Sequence, residues 1–291
     1  MHSCFCTIIT PDYWPYALAL YDSLAALDPQ IQLAVLVSQD SKGKDDYSIF
    51  QNNRNIQVYK IKDLEHISIA KEIRSKYHEN YHDAYRWSMK PVFMNFLFQK
   101  GYDKVIYVDS DIYFFNDFTF LFDELEHCNL LLSPHWRSSD PEADLANFKL
   151  NFLDGIYNGG FIGATPAAET ALNYWAKLCL FNCEINRSEG FYVDQRYLDI
   201  LPSRFEGVKS IRHKGCNVAY WNRVDCSRTI NKEGKVMIDN KFPVIFIHFT
   251  YSLFLGVFFE DDKILLPFLE KYRDNILKYS EKNILSEFYK K

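Results

Sequence analysis

Lys104-Val105-Ile106-Tyr107-Val108-Asp109-Ser110-Asp111-Ile112-Tyr113-Phe114-Phe115 is the stretch on which the reading of this 291-residue chain turns. The apolar run Lys104 to Val108 reads as a buried strand and leads straight into two carboxylates, where unpaired charge is costly. Two Asp at i and i+2 of an extended chain point the same way and can converge on one cation. The carboxyl end of a strand is also where open α/β sheets bind ligands. A metal would offset the repulsion between the two acids. The competing use of such a pair is a turn or a helix cap, and the apolar flanks favour the binding site over it.

Upstream of this stretch, strands alternate with helices. Phe5 to Thr10, Leu33 to Val37 and Ile56 to Ile61 are short apolar runs, and Tyr16 to Leu27 has helical periodicity ending at Asp28-Pro29. A longer helix is expected to follow Pro91, with Val92, Phe93, Phe96 and Leu97 on one face and a stop near Gly101. This rhythm predicts a largely parallel sheet covered by helices. Downstream, Leu130 to Ser133, Gly160 to Ala164 and Val244 to His248 are further strand candidates, so the class is α/β with added strands. From Pro267, Phe268, Leu269, Tyr272 and Ile276, then Ile284, Leu285 and Phe288, fall at helical spacing among lysines. Packing of this tail on the domain is the favoured reading, and contact with an anionic membrane surface is the alternative. With no linker, low-complexity tract or repeat, one elaborated domain is expected over residues 1–291.

The composition excludes some partners. A net charge of -5 with scattered Lys and Arg leaves no basic face for a phosphate backbone, so nucleic acid is not expected. Aromatic content of 17% is assigned to the core. The seven cysteines, Cys4, Cys6, Cys128, Cys179, Cys183, Cys216 and Cys226, form no CxxC pair and no zinc spacing, and read as reduced thiols. The strand-like run at Cys4 to Thr10 leaves no room ahead of it for a leader, so a cytoplasmic location is expected, with membrane contact at most peripheral, at the inner face. Phe242 to Phe259 lacks Asp, Glu, Lys and Arg over 18 residues, the length of a membrane span. Pro243, His248, Thr250, Ser252 and Gly256 interrupt it, and a buried strand followed by a loop is preferred.

Three further segments carry chemistry-bearing residues. In Tyr157-Asn158-Gly159-Gly160-Phe161, paired glycines permit positive φ and close backbone approach to a ligand, or simply make a turn into a strand. Asp194 and Gln195 could hydrogen-bond hydroxyl groups, or cap or decorate a helix. His248, ending the run from Phe242, could ligate a metal or be a satisfied structural histidine.

In this order the segments resemble the GT-A glycosyltransferases, and among them glycosyltransferase family 8, over nearly the whole chain. The resemblance implies a Rossmann-like, mixed, mainly parallel sheet flanked by helices. It would divide into a nucleotide-binding half at about 1–115, a donor-sugar and acceptor half at about 116–260, and a helical tail at about 261–291. It implies Thr10 and Tyr13 near the nucleobase, Arg86 or Lys90 as the basic residue ahead of the metal strand, and Asp109 and Asp111 as the D-x-D, with Ser110 between them on the donor. Asn158, Gly159 and Gly160 match the donor-sugar loop, Asp194 and Gln195 the sugar-contacting catalytic pair, and His248 the late metal-binding histidine. One feature departs: the family's diphosphate-binding lysine after that histidine is absent, and no base follows His248 until Lys263.

The function implied is transfer of a sugar from a nucleotide diphosphate sugar, a UDP-sugar by resemblance, to a carbohydrate or glycoconjugate acceptor, with retention. Mixed carboxylate and imidazole ligation suits Mn²⁺ better than Mg²⁺. The rivals are a sugar-phosphate nucleotidyltransferase, whose glycine-rich phosphate loop is missing from Thr10 to Leu20, and a catalytically silent sugar-binding protein.

Overall fold

A computed structural model describes residues 2–39, 53–259 and 262–280 of the chain. Four parallel strands form one side of the central sheet: β1 (Ser3–Ile9), β2 (Gln32–Val37), β3 (Ile56–Lys60) and β4 (Lys104–Val108). Helix α1 (Trp14–Ala25) links β1 to β2, and α2 (Ser68–Tyr77) and α3 (His82–Gln99) lie between β3 and β4. After the short β5 (Ile112–Phe114) and α4 (Thr119–Glu124) come β6 (Leu130–Pro134), α5 (Leu145–Leu153), β7 (Tyr157–Ala164) and α6 (Glu169–Phe181). β7 runs antiparallel between β4 and β6. The hairpin of β8 (Ile185–Asn186) and β9 (Phe191–Tyr192) and the short α7 (Leu201–Arg204) precede β10 (Val208–Ser210), which completes a seven-stranded sheet of order β10-β6-β7-β4-β1-β2-β3. This is the mixed, mainly parallel, helix-flanked sheet expected of a GT-A fold.

Both faces of the sheet are covered, which is why its central strands read as continuous apolar runs rather than alternating ones. Successive residues of β1 divide between the two faces: Cys4, Cys6 and Ile8 pack with α2, α3 and α6, while Phe5 and Ile9 pack with α1 and α4. The third apolar cluster holds the C-terminal elements, with Leu269, Tyr272 and Ile276 of α9 (Leu266–Ile276) buried. That part of the tail packs on the domain; Ile284, Leu285 and Phe288 lie outside the described residues.

Three local expectations are corrected. Pro91 sits inside α3 rather than before it. The loss of one intrahelical bond at a proline is offset by burial on both sides of it, from Tyr85 and Met89 to Val92, Phe93 and Phe96. The apolar stretch from Phe242 is not one segment. It divides into β13 (Phe242–Pro243), which closes a small sheet with β11 (Arg228–Ile230) and β12 (Val236–Ile238), then β14 (Phe246–His248) and helix α8 (Tyr251–Phe259) where a loop was expected. Among the described residues no helix is long and apolar enough to cross a membrane. Finally, Asp109 to Ile112 is a turn, closed by the Ile112 N–H on the Asp109 carbonyl at 3.1 Å, not extended chain.

That turn feeds β5, which pairs antiparallel with β14 in the register Phe246 to Phe114, Ile247 to Tyr113 and His248 to Ile112. The Phe246 ring lies 5.0 Å from that of Phe114 and 5.4 Å from that of Phe161, joining β14 to the main sheet. Phe246→Ala should therefore cost about 3–5 kcal/mol of unfolding free energy. Urea unfolding followed by tryptophan fluorescence checks this, and a loss below about 1 kcal/mol would show that the junction is not stability-determining.

Candidate active site

The site is assembled at the carboxyl end of β4. The Asp109 backbone N–H donates to the Gly160 carbonyl at 2.9 Å, and the Asp111 carbonyl accepts the Phe249 N–H at 2.8 Å. These two bonds pin the turn between β7 and β14. With His248 opposite Ile112, its Nε2 lies 3.1 Å from Asp111 Oδ1 and 3.8 Å from Asp109 Oδ2. One ligand atom from each of Asp109, Asp111 and His248 falls within 4.8 Å of the others. The two acids meet the histidine because of a turn, where extended geometry was expected.

His248 is 4% exposed, and its Nδ1 is sealed from solvent with no hydrogen-bond partner. The polar partners of the ring are the two acids, which face its Nε2. Burial by itself would push His248 down, but Asp111 and then Asp109 outweigh it and hold the proton on the ring above the usual histidine range.

Lys90 is the central cation. It is 3% exposed, with Nζ 3.0 Å from Asp194 Oδ2, 3.5 Å from Asp109 Oδ1 and donating to the Gly159 carbonyl at 2.8 Å. Burial works against its charge, and Asp109 and Asp194 more than offset this, so Lys90 is held above the usual lysine range. For Asp109 burial acts upward, but Lys90, His248 and the Tyr107 hydroxyl, 2.7 Å from Oδ1, bring it below the usual carboxylate range. Asp194 goes the other way: at 2% exposure, burial raises it and Lys90 offsets that only in part. The indole of Trp175 fixes this segment by donating to the Asp194 carbonyl at 2.9 Å.

The paired glycines serve space rather than backbone conformation. Neither has positive φ. A Cβ on Gly160 would lie 2.5 Å from His248 Cε1 and 2.9 Å from Asp109 Oδ2, and one on Gly159 would lie 3.0 Å from Asp194 Oδ2. Asn158 Oδ1 accepts the Gly160 N–H at 3.0 Å, and its Nδ2 faces His135 Nε2 at 3.2 Å. Burial and then the Arg137 charge keep His135 well below the usual histidine range. The neutral ring then donates from Nδ1 to the Ile156 carbonyl at 3.2 Å and accepts from Asn158. Gln195 is held at both ends, accepting the Gly159 N–H at 3.3 Å and donating to the Asp154 carbonyl at 3.0 Å.

These groups share a cleft of about 720 Å³ whose far wall includes Asn147, Tyr192, Tyr220 and Trp221. A smaller recess of about 170 Å³ adjoins it at Asp109 and Asp111, between Tyr13, Arg86 and Ser110. Tyr13 is 41% exposed, with its ring 5.1 Å from Tyr16 and the Arg86 guanidinium 5.6 Å from its centre. Thr10 opens the turn Pro11–Tyr13 through a carbonyl bond to the Tyr13 N–H and forms no wall of the recess. Of the two basic candidates, Lys90 meets the acids and Arg86 the recess, where it also pairs with Asp83. Lys263 lies on neither wall; Thr250 and Ser252 follow His248 onto the cleft instead. Sequence reading missed His135, Arg137, Asp154 and the 220–223 wall. His135 directly follows strand β6, the same strand-end position that drew notice to Asp109, and Arg137 lies two residues further on.

A GT-A sheet with acids and a buried cation at its strand ends, beside an open cleft, is the arrangement expected of a glycosyltransferase. The sequence model described as glycosyl transferase family 8 matches residues 4–201, and the chain belongs to that family. YfnF, an uncharacterized protein of Bacillus subtilis (strain 168), is 28% identical over 261 residues, covering 86% of this chain and 82% of YfnF. Two solved structures share the fold. The galactosyltransferase LgtC, in complex with donor and acceptor sugar analogs, aligns at a TM-score of 0.57 and 16% identity over 94% of this chain and 95% of LgtC. Mouse xyloside xylosyltransferase 1 aligns at 0.55 and 11% identity over 87% of this chain and 99% of its own.

Lys90→Met should be strongly destabilising, by about 3–5 kcal/mol, because it strands the buried Asp194 carboxylate. Adding Asp194→Asn to that variant should recover part of the loss. Thermal and urea unfolding of the two variants decide this; an unchanged or additive loss in the double variant would remove Lys90 as the partner of Asp194.

Proposed function

We propose that the chain transfers a sugar from a UDP-sugar to a hydroxyl of a carbohydrate or glycoconjugate, with Mn²⁺ or Mg²⁺ bound by Asp109, Asp111 and His248. The observation that carries this reading is the convergence of those three side chains within 4.8 Å from two distant parts of the sequence. The donor set fits such an ion. Two carboxylates and an imidazole suit Mn²⁺, and His248 turns its Nε2 toward both acids. When bound, the ion would supply Lewis-acid stabilisation of the departing diphosphate.

The chain's own residues divide the remaining work. Tyr13 and Arg86 offer an exposed ring and a cation to the nucleotide in the smaller recess. Lys90 holds Asp109 ionised and aligned, and fixes Asp194 toward the sugar hydroxyls. Asn158 is oriented by His135 and Gly160. Gln195, immobilised at both ends, lies beneath the anomeric carbon in a retaining mechanism, its amide stabilising positive charge that develops there. Thr250 and Ser252 contribute neutral donors where the family pattern has a lysine. We also place the protein in the cytoplasm, with membrane contact at most peripheral; seven free, buried cysteines support a reducing compartment.

Calorimetric titration with UDP should show tighter binding in the presence of Mn²⁺. Asp111→Ala should weaken that binding roughly ten- to a hundred-fold, the scale of losing support in a metal site. Asp194→Ala should instead lower turnover while leaving UDP affinity nearly unchanged. Equal UDP affinity with and without Mn²⁺ would sink the metal assignment, and matching losses in the two variants would sink the division of roles.

Protonation gives an independent check. His248 carries no free Nε2 lone pair below its raised pKa, so Mn²⁺ must displace a proton. Mn²⁺ affinity should rise with pH through a midpoint above the ordinary histidine value of about 6.5. In His248→Asn the residual affinity should lose that dependence. A pH-independent wild type would remove His248 from the ligand set.

A further inference from the structure

Within the same cleft, the structure leaves a cation under-neutralised. Arg137 lines the cleft, its side chain is 8% exposed, and its Nε is sealed without a hydrogen-bond partner. The ion pair it makes among the described residues is one contact from Nη2 to Asp154 Oδ2, at 3.3 Å. Asp154 is better used by Arg187, whose Nε and Nη2 reach its two oxygens at 2.7 and 3.2 Å. Two guanidinium groups therefore share one carboxylate, an excess of one positive charge.

The other acids of the cleft already have cations. Asp194 and Asp109 take Lys90 at 3.0 and 3.5 Å, Asp111 takes His248 at 3.1 Å, and Asp144 faces Arg223 at 3.9 Å. Nearby Asp199 pairs with Arg196 at 2.5 Å. His135, also close to Arg137, is neutral and supplies no charge. Burying a guanidinium whose Nε is sealed without a partner, and whose one hydrogen bond to protein among the described residues is that to Asp154, is unfavourable unless something else completes it. The position is informative, because the Asp154 carbonyl binds Gln195 Nε2 at 3.0 Å, so Arg137 stands one residue away from the group assigned to the reacting sugar.

We propose that Arg137 forms an anion-recognising subsite in the cleft, for a carboxylate or phosphate carried by a sugar bound beside Gln195. The proposal rests on the glycosyltransferase reading above and names the charge class of one of its substrates. Arg187 keeps Asp154 occupied and leaves the planar Arg137 fork free to take two oxygens of the anion. The anion belongs either to the donor, as a uronic acid sugar, or to the acceptor, as an acidic sugar or sugar phosphate.

Two arms separate those sources. In the first, Mn²⁺-supported hydrolysis of UDP-glucuronate and UDP-galacturonate is compared with that of UDP-glucose and UDP-galactose. In the second, methyl glucuronide and glucose 6-phosphate are compared with methyl glucoside by ligand-observed NMR, with UDP and Mn²⁺ present. The anionic member should be favoured roughly 10- to 100-fold in one arm, the worth of one or two charge-assisted hydrogen bonds. Arg137→Gln should abolish the preference with UDP affinity unchanged, and Arg137→Lys, which keeps the charge without the fork, should retain part of it. Equal binding of charged and neutral forms in both arms by the wild type overturns the subsite, whatever the variants do. So does a charged-to-neutral ratio that survives Arg137→Gln, which would leave Arg137 as a tether for Asp154. Titration of the same wild-type sample with UDP keeps the two levels apart: bound UDP with no anion preference overturns the subsite alone, while absence of UDP binding overturns the donor reading.

Discussion

The Lys90 ammonium is withdrawn from water and has to be neutralised from within the protein, and four separate pieces of chain meet to do so. Helix α3 supplies the cation; the end of β4 supplies Asp109, the start of β7 the Gly159 carbonyl, and the segment after β9 supplies Asp194. An isolated charge at that depth would be strongly unfavourable, so the arrangement stands only if all of its members are in place. The constraint spreads outward: Gly159 and Gly160 must lack side chains because the acids and His248 occupy the space a Cβ would need. Lys90 draws both acids down, yet burial leaves Asp194 above the usual carboxylate range, while His248 and Tyr107 help bring Asp109 below it, so neighbouring acids differ in their tendency to hold a proton.

The opposite wall of the cleft is held by another buried ion pair. Arg228 lies 3.0 Å from Asp262 and donates to the carbonyls of Ala219 and Asn222 at 2.6 and 3.2 Å, fastening the segment that carries Tyr220, Trp221 and Arg223. The two walls therefore rest on different charge networks, one beneath the strand ends and one behind the C-terminal elements. This construction bears on the rival readings. The β1–α1 connection is the turn Pro11–Tyr13, which contains no glycine-rich cradle for a phosphate, against what a nucleotidyltransferase would present. A silent sugar-binding protein would need no such gathering of acids around one buried cation.

What could be read from the sequence was whatever depends on neighbours along the chain. Apolar runs ending abruptly in Asp109 and in His248 marked two strand ends, and the order of motifs marked the family. Three kinds of feature lay beyond that reading. Pro91 signals a helix start, but packing of α3 against α6 and the sheet outweighs the local preference. The geometry joining Asp109 to Asp111 depends on the β5–β14 pairing, which spans more than a hundred residues. The network of Arg137, Asp154, Arg187 and Gln195 gathers residues from four segments, none with a distinctive local pattern. Of the two reasons for which the paired glycines were noticed, positive φ does not hold, and the crowding that leaves little room for a Cβ comes from tertiary surroundings the sequence does not display.

The register of β14 against β5 also sets an order of events during synthesis. Asp109 and Asp111 leave the ribosome long before His248, and the region matched by the family model ends at residue 201. A nascent chain of that length would contain the central strands, Lys90 and both acids, yet still leave β5 without its partner strand. Asp109 and Asp111 are thus made well before the strand that brings His248 to them. Completion of the cluster of Asp109, Asp111 and His248 is therefore coupled to synthesis of β14.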